Sequence, residues 1–464
     1  MSKRVLIVAP NSTHPVTGGT QVRMNGLIRH MTEDLGWEVD FFAAAAKLRQ
    51  EAWGPNMDYL RHIFVPHPGP PAPKKEKSFI HLRRALGGGV IEAVVKDLRK
   101  LLKGTSAANA APVPGPKHLH TYTNPKKSGE QSHPSPVSQR LQIYERPYME
   151  AALREVLGDH EYDAIIVVYV WMSKVVEWLM DQPDRPQLIC DTIDIQYVRE
   201  QRLHSFRNGA AFDFEAEKAL EIAYLSRYDL TLGITPEDTE ELQRSVPDKP
   251  SCTVSIEASV APYLVLDEEL YRLRRETQHT YDLIFIGADN EANRLAVKKL
   301  LRDIVPLLLA RKPDLSVAIA GKVSTGPAVE RLAGIPGVQI KGYVDSLEDF
   351  YASGRVLAAP IPAGGGIKVK LLEAMAHGVP VVTTPIGAEG IAFEDGVHGF
   401  ITDDDARFAD NVMSLLNNPE MLETFSLATQ RNILERLSPK VVYAAFDAQF
   451  GEARSKPEVP VRSD

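Results

Sequence analysis

The feature that most constrains this chain is a local pattern repeated along it. A short, unbroken apolar run rich in β-branched residues is followed by a turn and then by residues at helical spacing. "RVLIVAP" (residues 4–10) is the first such run; "NSTHPVTGGT" makes its turn and "QVRMNGLIRHMTEDLG" its helix, before "WEVDFFAA" opens the next strand. Runs without polar alternation suit strands buried on both faces, and strand–helix–strand at this spacing requires a parallel sheet. The rhythm recurs in "YDAIIVVYV", "QLICDTID" and "DLTLGIT", with helical "WMSKVVEWLMD" and "FDFEAEKALEIAYLSRY" between them. A second series holds "YDLIFIGADN", "LSVAIAG", "VQIKGYV", "RVLAAPI" and "PVVTTPIGAEGI". A chain of 464 residues exceeds one ordinary core. The expected fold is therefore α/β, two doubly wound, Rossmann-like sheets joined near residues 260–280.

Residues 67–138 break the rhythm. "HPGPPAPKKEK" reads as a linker, and the segment 74–103 as a basic helix weakened by Gly87–Gly89. That helix can pack on the first lobe or lie on an anionic membrane surface. The stretch from Thr105 to Gln139 has too few apolar residues to offset its ordering entropy and is expected to be largely disordered, as is the tail 451–464. A net charge of −8 speaks against a general nucleic-acid binder. Two cysteines, Cys190 and Cys252, are too few for a disulfide framework and read as buried thiols. Neither a signal-like N-terminus nor an apolar run of membrane-spanning length is present, so the expected location is cytoplasmic, with membrane association through 74–103 left open.

The densest chemistry lies in "GGGIKVKLLEAMAHGVPVV" (residues 364–382). Gly364, Gly365 and Gly366 follow a strand and precede a helix expected to run from Ile367 to Gly378. Glycines at such a turn admit a ligand to the backbone, and the free N–H groups of the first helical turn attract an anion. Lys370 and Glu373 stand three apart on the face opposite Leu371, Leu372, Met375 and Ala376. That arrangement suits a nucleoside diphosphate, with lysine and helix end on the phosphates and a carboxylate on the ribose. An ordinary solvated Lys–Glu pair is the alternative. Gly18 and Gly19 hold the same place after the first strand, as either a plain turn or a close-approach loop.

The stretch "GGGIKVKLLEAMAHGVPVVTTPIGAEGI" resembles the donor-site motif of glycosyltransferase family 4, retaining enzymes with the two-domain GT-B fold. "APNSTHPVTGGTQVR", "FIGADNEAN", "VAIAGK", "IKGYVDSLEDFYASGRVLAAP" and "EDGVHGFI" are similar to further family segments. The resemblance implies an acceptor domain over residues 1–265, carrying the insertion 67–138, and a donor domain over 280–450. It implies a donor site from Gly18, Gly19, Gly287, Gly364, Gly365, Gly366, Ile367, Lys368, Lys370 and Glu373. It also implies retention, a UDP- or GDP-sugar donor, a saccharide or lipid-linked acceptor in polysaccharide or glycoconjugate biosynthesis, and no metal or other cofactor. Glu373 matches the second acid of the family's Glu-x7-Glu pattern; the first position falls on Gly365.

Asp191 and Asp194 end a strand of the first lobe, with Arg199 and Arg202 beyond. They either orient an acceptor hydroxyl or cap the following helix. The expected acceptor side comprises His14, Arg23, Asp191 and Arg199, and the expected catalytic groups are Asp194, Lys370 and Glu373. Asp403–Asp405 read as a helix start rather than a metal site. Two other classes stand beside the transferase. A non-catalytic nucleotide-sugar-binding subunit fits the missing acid, whereas a nicotinamide dehydrogenase would need a G-x-G-x-x-G that neither glycine loop supplies.

Overall fold

The computed structural model describes residues 2–13, 18–44, 60–65, 119–121, 137–207, 212–257, 280–325, 329 and 334–450. The first lobe is an eight-stranded parallel sheet. Its strands are β1 (Arg4–Ala9), β2 (Glu38–Ala43), β3 (Ile63–Val65), β4 (Leu119–Thr121), β5 (Ala164–Val168), β6 (Gln187–Asp191), β7 (Leu230–Gly233) and β8 (Ser251–Thr253). They lie in the order β4-β3-β2-β1-β5-β6-β7-β8. The second lobe holds β9 (Tyr281–Ile286), β10 (Val317–Ala320), β11 (Val338–Gly342), β12 (Gly354–Ala359), β13 (Val381–Thr383) and β14 (Gly399–Ile401). Their order is β11-β10-β9-β12-β13-β14. In each sheet the chain leaves the first strand in one direction and returns to its other side, so the switch points lie at β1/β5 and β9/β12.

The continuous apolar runs are explained by burial on both faces. Along β1, Leu6 and Val8 enter one core while Val5, Ile7 and Ala9 enter another, the period-2 alternation of a strand with helices on both sides. The layer holding Val5, Ile7 and Ala9 continues into the core of the second lobe. Cys190 and Cys252 are buried free thiols. Asp404 accepts a 2.7 Å bond from the Arg407 N–H and caps the helix Asp405–Asn417, as the acidic run suggested.

Two expectations need revision. Leu119–Thr121, inside the stretch read as disordered, forms β4 beside β3, and a helix starts at Val137, where the same stretch was still expected. The last described helix, grouped with the second lobe, packs on the first. The helix Ala444–Phe450 sets Asp447 2.7 Å from His30 Nε2, Phe446 against Trp37, and the Phe450 carbonyl 2.7 Å from Lys3 Nζ. The segment 74–103 and the tail 451–464 lie outside the described residues. Among the described residues no helix is long and apolar enough to cross a membrane.

Candidate functional site

The carboxyl ends of β1, β5 and β6 meet those of β9 and β12 across the boundary between lobes. Helix α1 (Gly19–Arg29) starts after β1 with Gly18 at its N-cap. Helix α2 (Val369–Ala376) starts after the glycine turn with Lys368 at its N-cap position. The helix thus begins two residues later than expected, and Ile367 and Lys368 belong to the turn. The two N-termini touch: a methyl group on Gly19 would stand 2.9 Å from Val369 Cγ2.

What occupies the space beside the glycines differs from the ligand expected there. Side chains of the first lobe take it. A methyl on Gly365 would meet Arg199 Cβ at 3.0 Å, and one on Gly366 would collide with Asp194 Oδ1. Gly364 and Gly366 also have φ of +141° and +58°, which L side chains rarely adopt. Arg202 fastens the turn from the first lobe. Its guanidinium donates to the Gly364 carbonyl at 3.1 Å and grips both Glu389 oxygens at 2.7 and 2.8 Å. A second such pair joins Arg207 to Glu291, with the shortest bond 2.7 Å. Lys368 turns inward. It is buried, its amine donates to the Gly366 carbonyl at 2.6 Å, and Glu389 lies 3.7 Å away. Burial lowers its pKa, against the pull of Glu389 and Asp194. The Lys368 amine is thus spent on its own turn rather than presented at the helix start.

Lys370 and Glu373 are partly buried and diverge. The Lys370 amine donates to Asn293 Oδ1 at 2.7 Å and lies 5.4 Å from the centre of the Phe285 ring. Burial drops its pKa from 10.5 to about 8, with the Lys368 charge adding to the fall and Glu373 opposing it. Glu373 accepts a 2.7 Å bond from the Tyr351 hydroxyl. Burial raises its pKa, opposed by that bond and by Lys370. Gly287 makes room for protein here: a methyl on it would meet Asn293 Nδ2 at 2.7 Å. Asn293, which with Arg294 stands where the resembling family carries an Arg/Lys pair, thus links the turn after β9 to Lys370.

On the first lobe the acceptor-side set divides. Arg23 and Asp191 form an interior ion pair, each side chain 1% exposed, with two bonds from Nε at 3.0 and 2.9 Å and one from Nη2 at 2.8 Å. The remaining guanidinium nitrogen is spent on the carbonyls of Val254 and Ser255. Neither residue can reach an acceptor; they tie α1 to β6 and to the segment after β8. His14 lies outside the described residues. Asp194 and Arg199 do open toward the cleft, 3.6 Å apart at 17% and 21% side-chain exposure. They line a cavity of about 190 Å³ together with Arg140, Tyr144, Tyr169 and Trp171. The last four carry no sequence signal: they are ordinary aromatic and basic residues until β1, β5 and β6 gather beneath them. Among the described residues, no three His, Cys, Asp or Glu side chains converge as a metal site.

Residues 280–418 match the family model described as Glycosyl transferases group 1. An uncharacterized 44.6 kDa protein in the cps region of Klebsiella pneumoniae is 25% identical over 176 residues, 36% of this chain. The chain spans 45% of the length of that relative. In fold the chain is similar to sucrose-phosphate synthase of Thermosynechococcus elongatus, at 14% identity and TM-score 0.61, covering 97% of this chain and 98% of that one. TarM is similar at 11% identity and TM-score 0.64, covering 97% and 99%; a related structure gives its source as S. aureus. Anabaena Alr3699/HepE in complex with UDP-glucose is similar at 13% identity and TM-score 0.56, covering 97% and 99%. The fold is GT-B: two parallel α/β lobes facing each other.

Proposed function

We propose that this chain is a glycosyltransferase that moves a sugar from a nucleotide-sugar to a hydroxyl of a saccharide or lipid-linked acceptor. The observation that carries the reading is the meeting of two helix N-termini from different lobes, at Gly19 and Val369, with Lys370 behind them. Helix N-termini present unpaired N–H groups and a positive dipole end, so their convergence favours a diphosphate. The match of residues 280–418 to the group 1 glycosyl transferases supports the same reading. HepE is named as a UDP-glucose complex, which makes UDP-sugars the first donors to test, with GDP-sugars next.

In this reading Glu373 holds the ribose, and Lys370 with the first N–H groups of α2 holds the diphosphate. The bond between the anomeric carbon and the terminal phosphate oxygen breaks, and charge builds on the departing nucleoside diphosphate. Donors already aimed at that position stabilise the developing charge without reorganising. The acceptor oxygen forms the new bond, and its proton ends on the departing diphosphate. Asp194, at the end of β6 and against Gly366, orients that hydroxyl. The sugar keeps its anomeric configuration and no metal is required; both statements come from the family resemblance. Nucleotide release from UDP- and GDP-sugars, the anomeric proton coupling of the product, and activity in a chelator test the three parts.

One observation favours a second reading. At Gly365, where the resembling enzymes carry an acid, Arg199 packs instead. Tight nucleotide binding with no release from any donor would make the chain a binding subunit.

A further inference from the structure

The cavity at the carboxyl ends of β1, β5 and β6 has walls that say more about the acceptor than the reading above does. Three guanidiniums surround one buried carboxylate. Glu200, 1% exposed, receives Arg140 and Arg199 at 3.3 Å each and Arg207 at 3.0 Å. Arg207 is also paired with Glu291 and Arg199 with Asp194, so three arginines face three carboxylates, and among the described residues Glu200 is the one carboxylate in ion-pair contact with Arg140. Among the described residues, Arg140 spends one N–H on Gln196, at 3.0 Å, and one on Glu200. A guanidinium has five, in a fork matched to a carboxylate or a phosphate. The plane of Arg140 lies over the Trp171 ring, 4.4 Å from its centre, and Trp171 stacks on Tyr169 at 4.0 Å and 15°. That stack fixes the guanidinium at the cavity wall.

The backbone adds a second line. Tyr169, which follows β5 and lines the cavity, and Ile193, two residues past β6 and next to Asp194, have φ of +71° and +60°. Such conformations are unfavourable in a non-glycine residue and persist where the surrounding structure holds them. Here the strain turns the Tyr169 ring toward Thr20, with a 2.5 Å hydroxyl contact, and presents Asp194 to Gly366. The cavity of about 190 Å³ has room for one sugar ring, with aromatic groups from Tyr144, Tyr169 and Trp171, the adjacent Asp194 and Arg199, and the Arg140 guanidinium among its lining. Arg140 is easier to deprotonate than an ordinary arginine because of burial first and the Arg199 charge second. Glu200, 3.3 Å from both guanidiniums, and Asp194 oppose that fall.

The geometry points to an acceptor subsite for an anionic saccharide, in which Arg140 and Arg199 hold a carboxylate or phosphate on the sugar while Asp194 receives the reacting hydroxyl. This assignment rests on the transferase reading and fixes its acceptor class. The test uses the full chain saturated with UDP, or with GDP if that nucleotide binds better, titrated calorimetrically with glucose, glucuronate and glucose 6-phosphate. At least one anionic sugar binds at least tenfold more tightly than glucose, and the stronger of the two names the anion. Raising the salt concentration narrows the gap. In Arg140→Gln the preference falls to within about threefold while nucleotide affinity is unchanged; Arg140→Lys, which keeps the charge without the fork, retains part of it. Equal binding of the three sugars, no binding of any, or a preference that survives Arg140→Gln overturns the assignment. Failure of the nucleotide to bind the wild-type chain overturns the transferase reading instead.

Discussion

Replacing Lys370 by methionine separates a functional cation from a structural one. Burial holds the Lys370 amine at about 8 rather than 10.5 in the nucleotide-free protein. A base whose folded pKa lies below its unfolded value destabilises the fold when charged. The penalty is fully present below pH 8 and disappears as the pH rises toward 10.5. At 1.36 kcal/mol per pKa unit, that penalty is roughly 3 kcal/mol at neutral pH. Methionine keeps most of the stem over Phe285 and removes the charge, but leaves Asn293 Oδ1 without its donor. An orphaned acceptor costs about 1–2 kcal/mol. The net expectation is a variant more stable by about 1–2 kcal/mol, a few degrees in Tm. Thermal melts at pH 7 and pH 9.5 check this, and the advantage shrinks at the higher pH. The same variant binds UDP or GDP on the order of 10–100-fold more weakly, the worth of a charge-assisted bond. Wild-type binding takes up protons near pH 8, because the phosphate restores the ammonium, and weakens above it. Lower stability at pH 7 with unchanged nucleotide affinity would refute the reasoning.

Four further outcomes follow from contacts described above. Glu373→Gln keeps an acceptor for Tyr351 but weakens the ribose contact, so nucleoside diphosphate binding falls about tenfold while a dideoxyribose analogue is indifferent to the change. Arg23→Met leaves Asp191 buried and unpaired, costing about 3–5 kcal/mol of stability, with the KM for acceptor unmoved in whatever fraction folds. Arg202→Met frees Glu389 and the turn; a double-mutant cycle with Glu389→Gln gives a coupling of about 0.5–3 kcal/mol, and kcat falls more than the donor KM rises. Gly366→Ala adds a methyl at φ +58° and displaces Asp194, lowering kcat while calorimetry finds nucleotide still bound.

Much of the fold was legible because its signals are local. A strand buried on both faces must be apolar at every position, and a helix between two such strands must repeat at 3.6 residues, so β1, β5, β6, β9 and β12 announce themselves. Of the five three-residue strands only β13 shows itself, by its β-branched run after the Lys370–Glu373 helix; β3, β4, β8 and β14 do not, since no period shows in so short a run. The glycine turn and the Lys370–Glu373 helix were equally plain, as residues within one turn of chain.

What only the tertiary structure decided was which atoms fill the space those residues leave. Gly365 and Gly366 read as openings for a ligand, yet Arg199 and Asp194 occupy them. Arg23 and Asp191 read as ligand groups, yet 168 residues of chain bring them together as a closed pair. Arg140 gave no signal until β1, β5 and β6 ended beneath it. Spacing along a chain reports the neighbours a side chain has within its own element. Its partners across a parallel sheet come from distant crossovers, and there burial and pairing alone determine whether a charge is spent or free.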